Sequence, residues 1–115
     1  MALSRGRLTN GVVNVSAGTT VGIVTVASNK KVYIKSIVAH NGISTSTISA
    51  QIYYVPNGQS VSVNNRLFNV SIAQSETVFI EPSYPIVLTT TGDTLSIGCS
   101  VGQLNVLVSG DQEIW

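Results

Sequence analysis

The sequence predicts an all-β fold built as an antiparallel β-sandwich. Three observations predict it. Short runs of Val, Ile and Leu return every ~8–12 residues, separated by Gly, Ser, Thr and Asn, which is the spacing of sandwich or barrel strands. No apolar stripe of helical period interrupts that rhythm. Hydrophobic residues make up 43% of the 115, enough for one domain with a core of its own.

Residues 1–10 lack strand alternation and hold Arg5 and Arg7 between Leu3 and Leu8, so they read as an N-terminal arm. Ordering ten residues costs about 10–20 kcal/mol of backbone entropy, so the arm is expected to be fixed only by docking on a partner. Residues 11–16 form a first strand and 19–27 a second, nearly all β-branched as a pleated surface prefers. Residues 31–40 (KVYIKSIVAH) form a third. Alternation puts Val32, Ile34, Ser36 and Val38 on one face and Tyr33, Lys35, Ile37 and Ala39 on the other. Both faces are partly apolar, which predicts a central strand. A polar loop at 41–45 opens with Asn-Gly.

Residues 47–55 (TISAQIYYV) point Ile48, Ala50, Ile52 and Tyr54 inward and Ser49, Gln51 and Tyr53 outward. Pro56-Asn57-Gly58 ends this strand, and 59–65 is a long loop. Strands follow at 66–72, 76–81, 86–88, 94–101 and 103–109, divided by a Pro82–Pro85 corner and by turns at Gly92 and Gly102. The body thus spans 11–110, and 111–115 is a C-terminal tail ending in Trp115. About eight or nine strands with short connections predict two stacked antiparallel sheets, jelly-roll-like.

Charged residues are only 10%, against the usual quarter, and Ser36 to Asn65 contains none. Interface cores are depleted of charge, so this surface predicts burial against neighbouring proteins. Unguarded sheet edges add an expected homo-oligomer, with a trimer favoured. A net charge of +1 with scattered cations argues against nucleic-acid binding. No apolar run is long enough to span a membrane, and no signal peptide is visible, so synthesis in a cytoplasm is expected. The single Cys99 has no partner for an internal disulfide; alternation places it beside Leu95 and Ile97 as a buried thiol.

Chemistry is sparse. His40 is the only candidate base of a hydrolase, and it sits at a strand end before Asn41-Gly42. His40, Cys99, Asp93 and Glu76 follow no metal-ligand spacing. Glu76 and Glu81 flank one strand at opposite ends, too dispersed for a carboxylate pair. These patterns predict a protein that is not an enzyme and carries no cofactor or metal. The adjacent Tyr53 and Tyr54 must face opposite ways, which leaves Tyr53, with Tyr33, as outward candidates for stacking on a sugar. The partner-contact candidates are Leu3, Arg5, Arg7, Leu8, Tyr53 and Trp115.

The order VYIKSIVAHN, ISAQIYYVPNG, NVSIAQSETVFIE, TTTGDTLSIGCS and LNVLVSG, from about Lys30 to Gly110, resembles the small jelly-roll virion proteins of tailed bacteriophages, cyanophage types especially. The opening MALSRGRLTNGVVNVSAGTTVG is similar to the start of such proteins. The resemblance implies a non-enzymatic particle component, a decoration or cement protein on the capsid surface. Its partners would be the major capsid protein or other virion proteins, and host cytoplasm its place of synthesis. A tail or fibre component that recognises a glycan is the alternative.

Overall fold

The structure is a computed structural model, and it describes residues 2–9, 11–42 and 46–114. It contains ten strands: β1 (Ala2–Arg7), β2 (Val13–Ser16), β3 (Thr20–Thr25), β4 (Lys30–His40), β5 (Ile48–Val55), β6 (Arg66–Ile72), β7 (Thr77–Ile80), β8 (Ile86–Leu88), β9 (Thr94–Cys99) and β10 (Gln103–Ile114). One turn of 3-10 helix, Val63–Asn65, interrupts the loop before β6.

Eight of these strands make a jelly roll. The chain pairs as one long hairpin, β2 with β10, β3 with β9, β4 with β7 and β5 with β6, every pair antiparallel. Wrapping that ribbon on itself gives sheets of order β2-β10-β4-β7 and β3-β9-β5-β6. The other two strands lengthen the first sheet. β1 continues the β2 column along β10, and β8 continues the β7 column along β4. Pro82 and Pro85 stand in the break between β7 and β8, where a missing N–H costs no ladder bond.

Both chain ends differ from the sequence expectation. Residues 2–7 are a strand, with Arg5 opposite Asp111 and Leu3 opposite Glu113. Residues 111–114 are the end of β10, which also pairs with β4 from Gly110 to Ile114. Neither segment alternates apolar and polar residues, because the ribbon they build buries no apolar face. Main-chain pairing and ion pairs hold it instead. Trp115 and residues 43–45 of the polar loop lie outside the described residues.

The core lies between the sheets. Ile34, Ile37, Leu88 and Leu104 from the first meet Ile48, Ile52, Ile72, Leu95 and Ile97 from the second, all fully buried. Each contributes about 1.5–3 kcal/mol of apolar burial. Cys99 closes the core beside Leu95 and Ile97, its thiol donating to the Val15 carbonyl at 3.4 Å, and burial pushes that thiol above its ordinary pKa.

The faces of β4 depart from plain alternation. Val32 and Ile34 are buried as expected, but the next buried residues are Ile37 and Ala39, not Ser36 and Val38. A bulge explains the switch. Gly110 pairs with Ile34 and Ser109 with Ser36, so Lys35 is an extra residue with no opposite number. Gly110 makes the close approach possible: a Cβ there would run into the Tyr33 carbonyl oxygen and lie 3.1 Å from the Lys35 nitrogen. The obstacle is backbone on a central strand and cannot swing aside. We expect Gly110→Ala to destabilise the fold by about 2–3 kcal/mol, the upper range for overpacking. Chemical denaturation with an unchanged slope would measure it.

Candidate contact surface

The outward face of the first sheet carries the predicted contact residues of the N-terminus. Leu3, Arg5 and Arg7 stand on one face of β1 at two-residue intervals, and all three are exposed. Leu8 turns the other way: its N–H donates to the Val108 carbonyl at 2.8 Å, and its side chain packs half-buried on the core. Tyr53 lies on the outer face of the second sheet, opposite Ser96 and Arg66. The structure therefore groups Leu3, Arg5 and Arg7 and separates Leu8 and Tyr53 from them.

The centre of this face is a three-strand ion cluster. The bulge turns Lys35 outward, where its Nζ meets Asp111 Oδ2 at 2.6 Å. Arg5 Nε lies 3.4 Å from Oδ1, an attraction of charges without hydrogen-bond geometry. Asp111 is almost covered, with 8% of its side chain exposed, while Arg5 remains 77% and Lys35 49% exposed. The Lys35 hydrogen bond, then the charges of Lys35 and Arg5, hold the Asp111 carboxyl below the usual carboxylate range against the opposing effect of burial. Around them lies an open depression of about 270 Å³ lined by Arg5, Gly6, Lys35, Ser109, Gly110 and Asp111. Next to it Tyr33 donates to Glu113 Oε2 at 2.7 Å, which raises the phenol pKa. The neighbouring rung of the sheet is apolar: Leu107, Val38 and Phe79 lie opposite one another, and Phe79 is 63% exposed.

Sequence reasoning missed Asp111 and this apolar rung. The signal for the first was present as Asp111-Gln112-Glu113, acids at alternate positions facing Arg5 and Leu3. The second was hidden because the extra residue at Lys35 swaps Val38 from the core to the surface.

The residues weighed for chemistry serve the fold. His40 Nδ1 is hydrogen-bonded to Thr77 Oγ1 at 2.7 Å across a cross-strand pair. Asp93 is buried and accepts from Tyr54 Oη at 3.1 Å, the Asn57 N–H at 3.0 Å and the Thr90 N–H at 3.2 Å, so it ties three segments at one end of the sandwich. Burial and that bond raise the Tyr54 pKa. Glu76 Oε1 accepts from the Ala73 N–H at 2.9 Å in the β6–β7 turn. Among the described residues no three His, Cys, Asp or Glu gather as a metal set. Tyr33 and Tyr53 lie on opposite faces of the sandwich, so they form no common platform.

No family model matches the chain, and no curated protein matches it in sequence. Among solved structures, the fold is similar to a chain of the T13 viral particle of infectious bursal disease virus. The TM-score is 0.53 at 11% identity, over 98% of this chain and 31% of that one. Structures of the Gx strain of that virus and of its VP2 subviral particle align less closely. Their TM-scores are 0.46 and 0.41, at 12% and 13% identity, over 98% and 96% of this chain and 32% and 31% of theirs. At such identity the likeness is one of fold, and the chain spans about a third of the length of the chains it matches.

Asp111 makes stability pH-dependent. Its pKa is lower folded than unfolded, so its contribution is complete above the unfolded value of about 3.9 and is lost as pH falls through the folded value. Below pH ~4 the wild type should lose melting temperature faster than Asp111→Asn. Added salt should narrow the gap, because both cations are exposed. Thermal melts from neutral to acid pH, at low and high salt, measure both effects.

Proposed function

We propose that this chain is a non-enzymatic structural component of a virus particle, a decoration or cement protein on the capsid of a tailed phage. The observation that carries the reading is the jelly-roll strand order together with the fold likeness to a viral particle chain. The phage and cement assignments rest on the resemblance of the strand motifs. The outward face supports a role exercised by contact. Leu3, Arg5 and Arg7 stand on β1 at one edge of this face and Phe79 stands exposed on β7 at the other, a mixture suited to an acidic, partly apolar partner surface. Such a protein strengthens a capsid because it binds only the assembled state. A trimer on the particle follows from the same resemblance.

Electron cryo-microscopy of particles with and without the protein tests the reading. Density lost from the head surface, with heads that burst at lower temperature, is expected. Unchanged heads overturn the cement role, and density at the tail favours the fibre alternative. A truncation tests the contact face. Every described side chain from Leu3 to Arg7 is exposed, whereas Leu8 packs on the core. Deleting residues 1–7 should therefore leave a folded domain that binds particles about tenfold more weakly or worse. Circular dichroism and co-sedimentation with particles check the two halves.

A further inference from the structure

Edge strands decide whether β-proteins associate, and the structure shows where the edges are. The strand with Lys30, Lys31 and Lys35 and the strand at 47–55 are both interior, as β4 and β5, so their charges or lack of charge guard nothing. The edges are the β1–β2 column, the β7–β8 column, β3 and β6. Three of them carry protective features. β1 has Arg5 and Arg7, the β7–β8 column is broken by Pro82 and Pro85 next to Glu81, and β3 bulges between Gly22 and Val24. In β6 the bulge and the only charge, Arg66, are confined to its start. Residues 68–72 (FNVSI) hold no charge, proline or glycine, and among the described residues no strand pairs with their outer edge.

The hydrogen-bonding pattern of that edge is fixed by its neighbours. Ser49 spends its N–H and carbonyl on Ser100, on the β9 side. Alternation then turns Ala50 toward β6, so Val70 bonds inward to β5, and Asn69 and Ser71 point their N–H and C=O groups outward. We propose that β6 is a dimerisation edge: two copies pair it antiparallel about a two-fold axis through Val70, joining their β3-β9-β5-β6 sheets into one. In this register Asn69 lies opposite the second copy's Ser71, and four main-chain hydrogen bonds form. On the inner face Val70 meets Val70 and Phe68 meets Ile72; on the outer face amide meets hydroxyl. The charges choose the same partner. Arg66 opens the strand and Glu76 follows it, so an antiparallel pair sets each Arg66 toward the other copy's Glu76 turn, twice over. Two strands bury little area, so the dimer is a weak one, strengthened wherever copies are concentrated. Its two-fold axis separates it from any three-fold association.

Sedimentation equilibrium of the full chain over a concentration series tests the proposal. A monomer–dimer equilibrium is expected. Ser71→Pro removes an outward N–H, spares the pairing with β5, and should weaken the dimer at least about tenfold. Ser71→Lys, which sets two like charges across the axis, should do the same if the proline variant fails to fold. Val70 pairs with itself at a non-hydrogen-bonded site, about 4.5 Å between Cα atoms and within disulfide range. Val70→Cys should therefore form a cross-linked dimer under mild oxidation, while the exposed loop variant Thr89→Cys should not. A protein that stays monomeric at every concentration overturns the proposal. So does an oligomer untouched by both Ser71 variants, or cross-linking of Val70→Cys no faster than of Thr89→Cys.

Discussion

Lys35 is one residue more than β10 can match, and that excess decides where the core of the first sheet lies. Before it, even-numbered residues of β4 face inward; after it, odd-numbered ones do. Without the bulge, Ser36 and Val38 would enter the core and Ile37 and Ala39 would meet water. Gly110 is the other half of the arrangement, since only a residue without Cβ lets the bulged backbone come so near. The surface follows from the same event. The bulge sends Lys35 outward over Asp111, and Asp111 in turn draws Arg5 and with it β1. Core register and ion cluster are thus consequences of one inserted residue.

The two buried carboxylates are held by different physics. Asp93 gathers backbone donors from two loops and a tyrosine hydroxyl, a network with few gaps. At the ribbon, Asp111 is surrounded by exposed cations, and its attachment weakens with salt and acid.

Much of the fold was legible because its strands obey period two and its turns carry Gly, Pro and Asn. The strands at 66–72 and 86–88 fall where alternation puts them, and Cys99 sits among the core residues that its spacing names. Three things were not legible. Bulges at Ile23, Lys35 and Leu67 depend on which strand lies opposite, which periodicity within one strand does not encode. β1 and the end of β10 bury no apolar stripe, so the strongest signal for a strand was absent. The contact surface was half visible. Arg5 and Arg7 stood out as cations in a charge-poor chain, whereas Leu8 and Tyr53 resembled them in exposure only until the topology placed them elsewhere.

The hairpin order of the jelly roll has a consequence for how the chain is made. β2 needs β10 beside it, and some ninety residues separate Val13 from Gln103 in sequence. β4, second in length only to β10, also has β10 as a neighbour along its whole length. A ribosome that has not yet released residues 103–114 therefore holds a chain in which β2 has no partner and β4 is paired on one side alone. Such non-local closure is slow. The first sheet closes only once residues 103–114 have emerged, and until then its apolar strands are the ones most exposed to other copies.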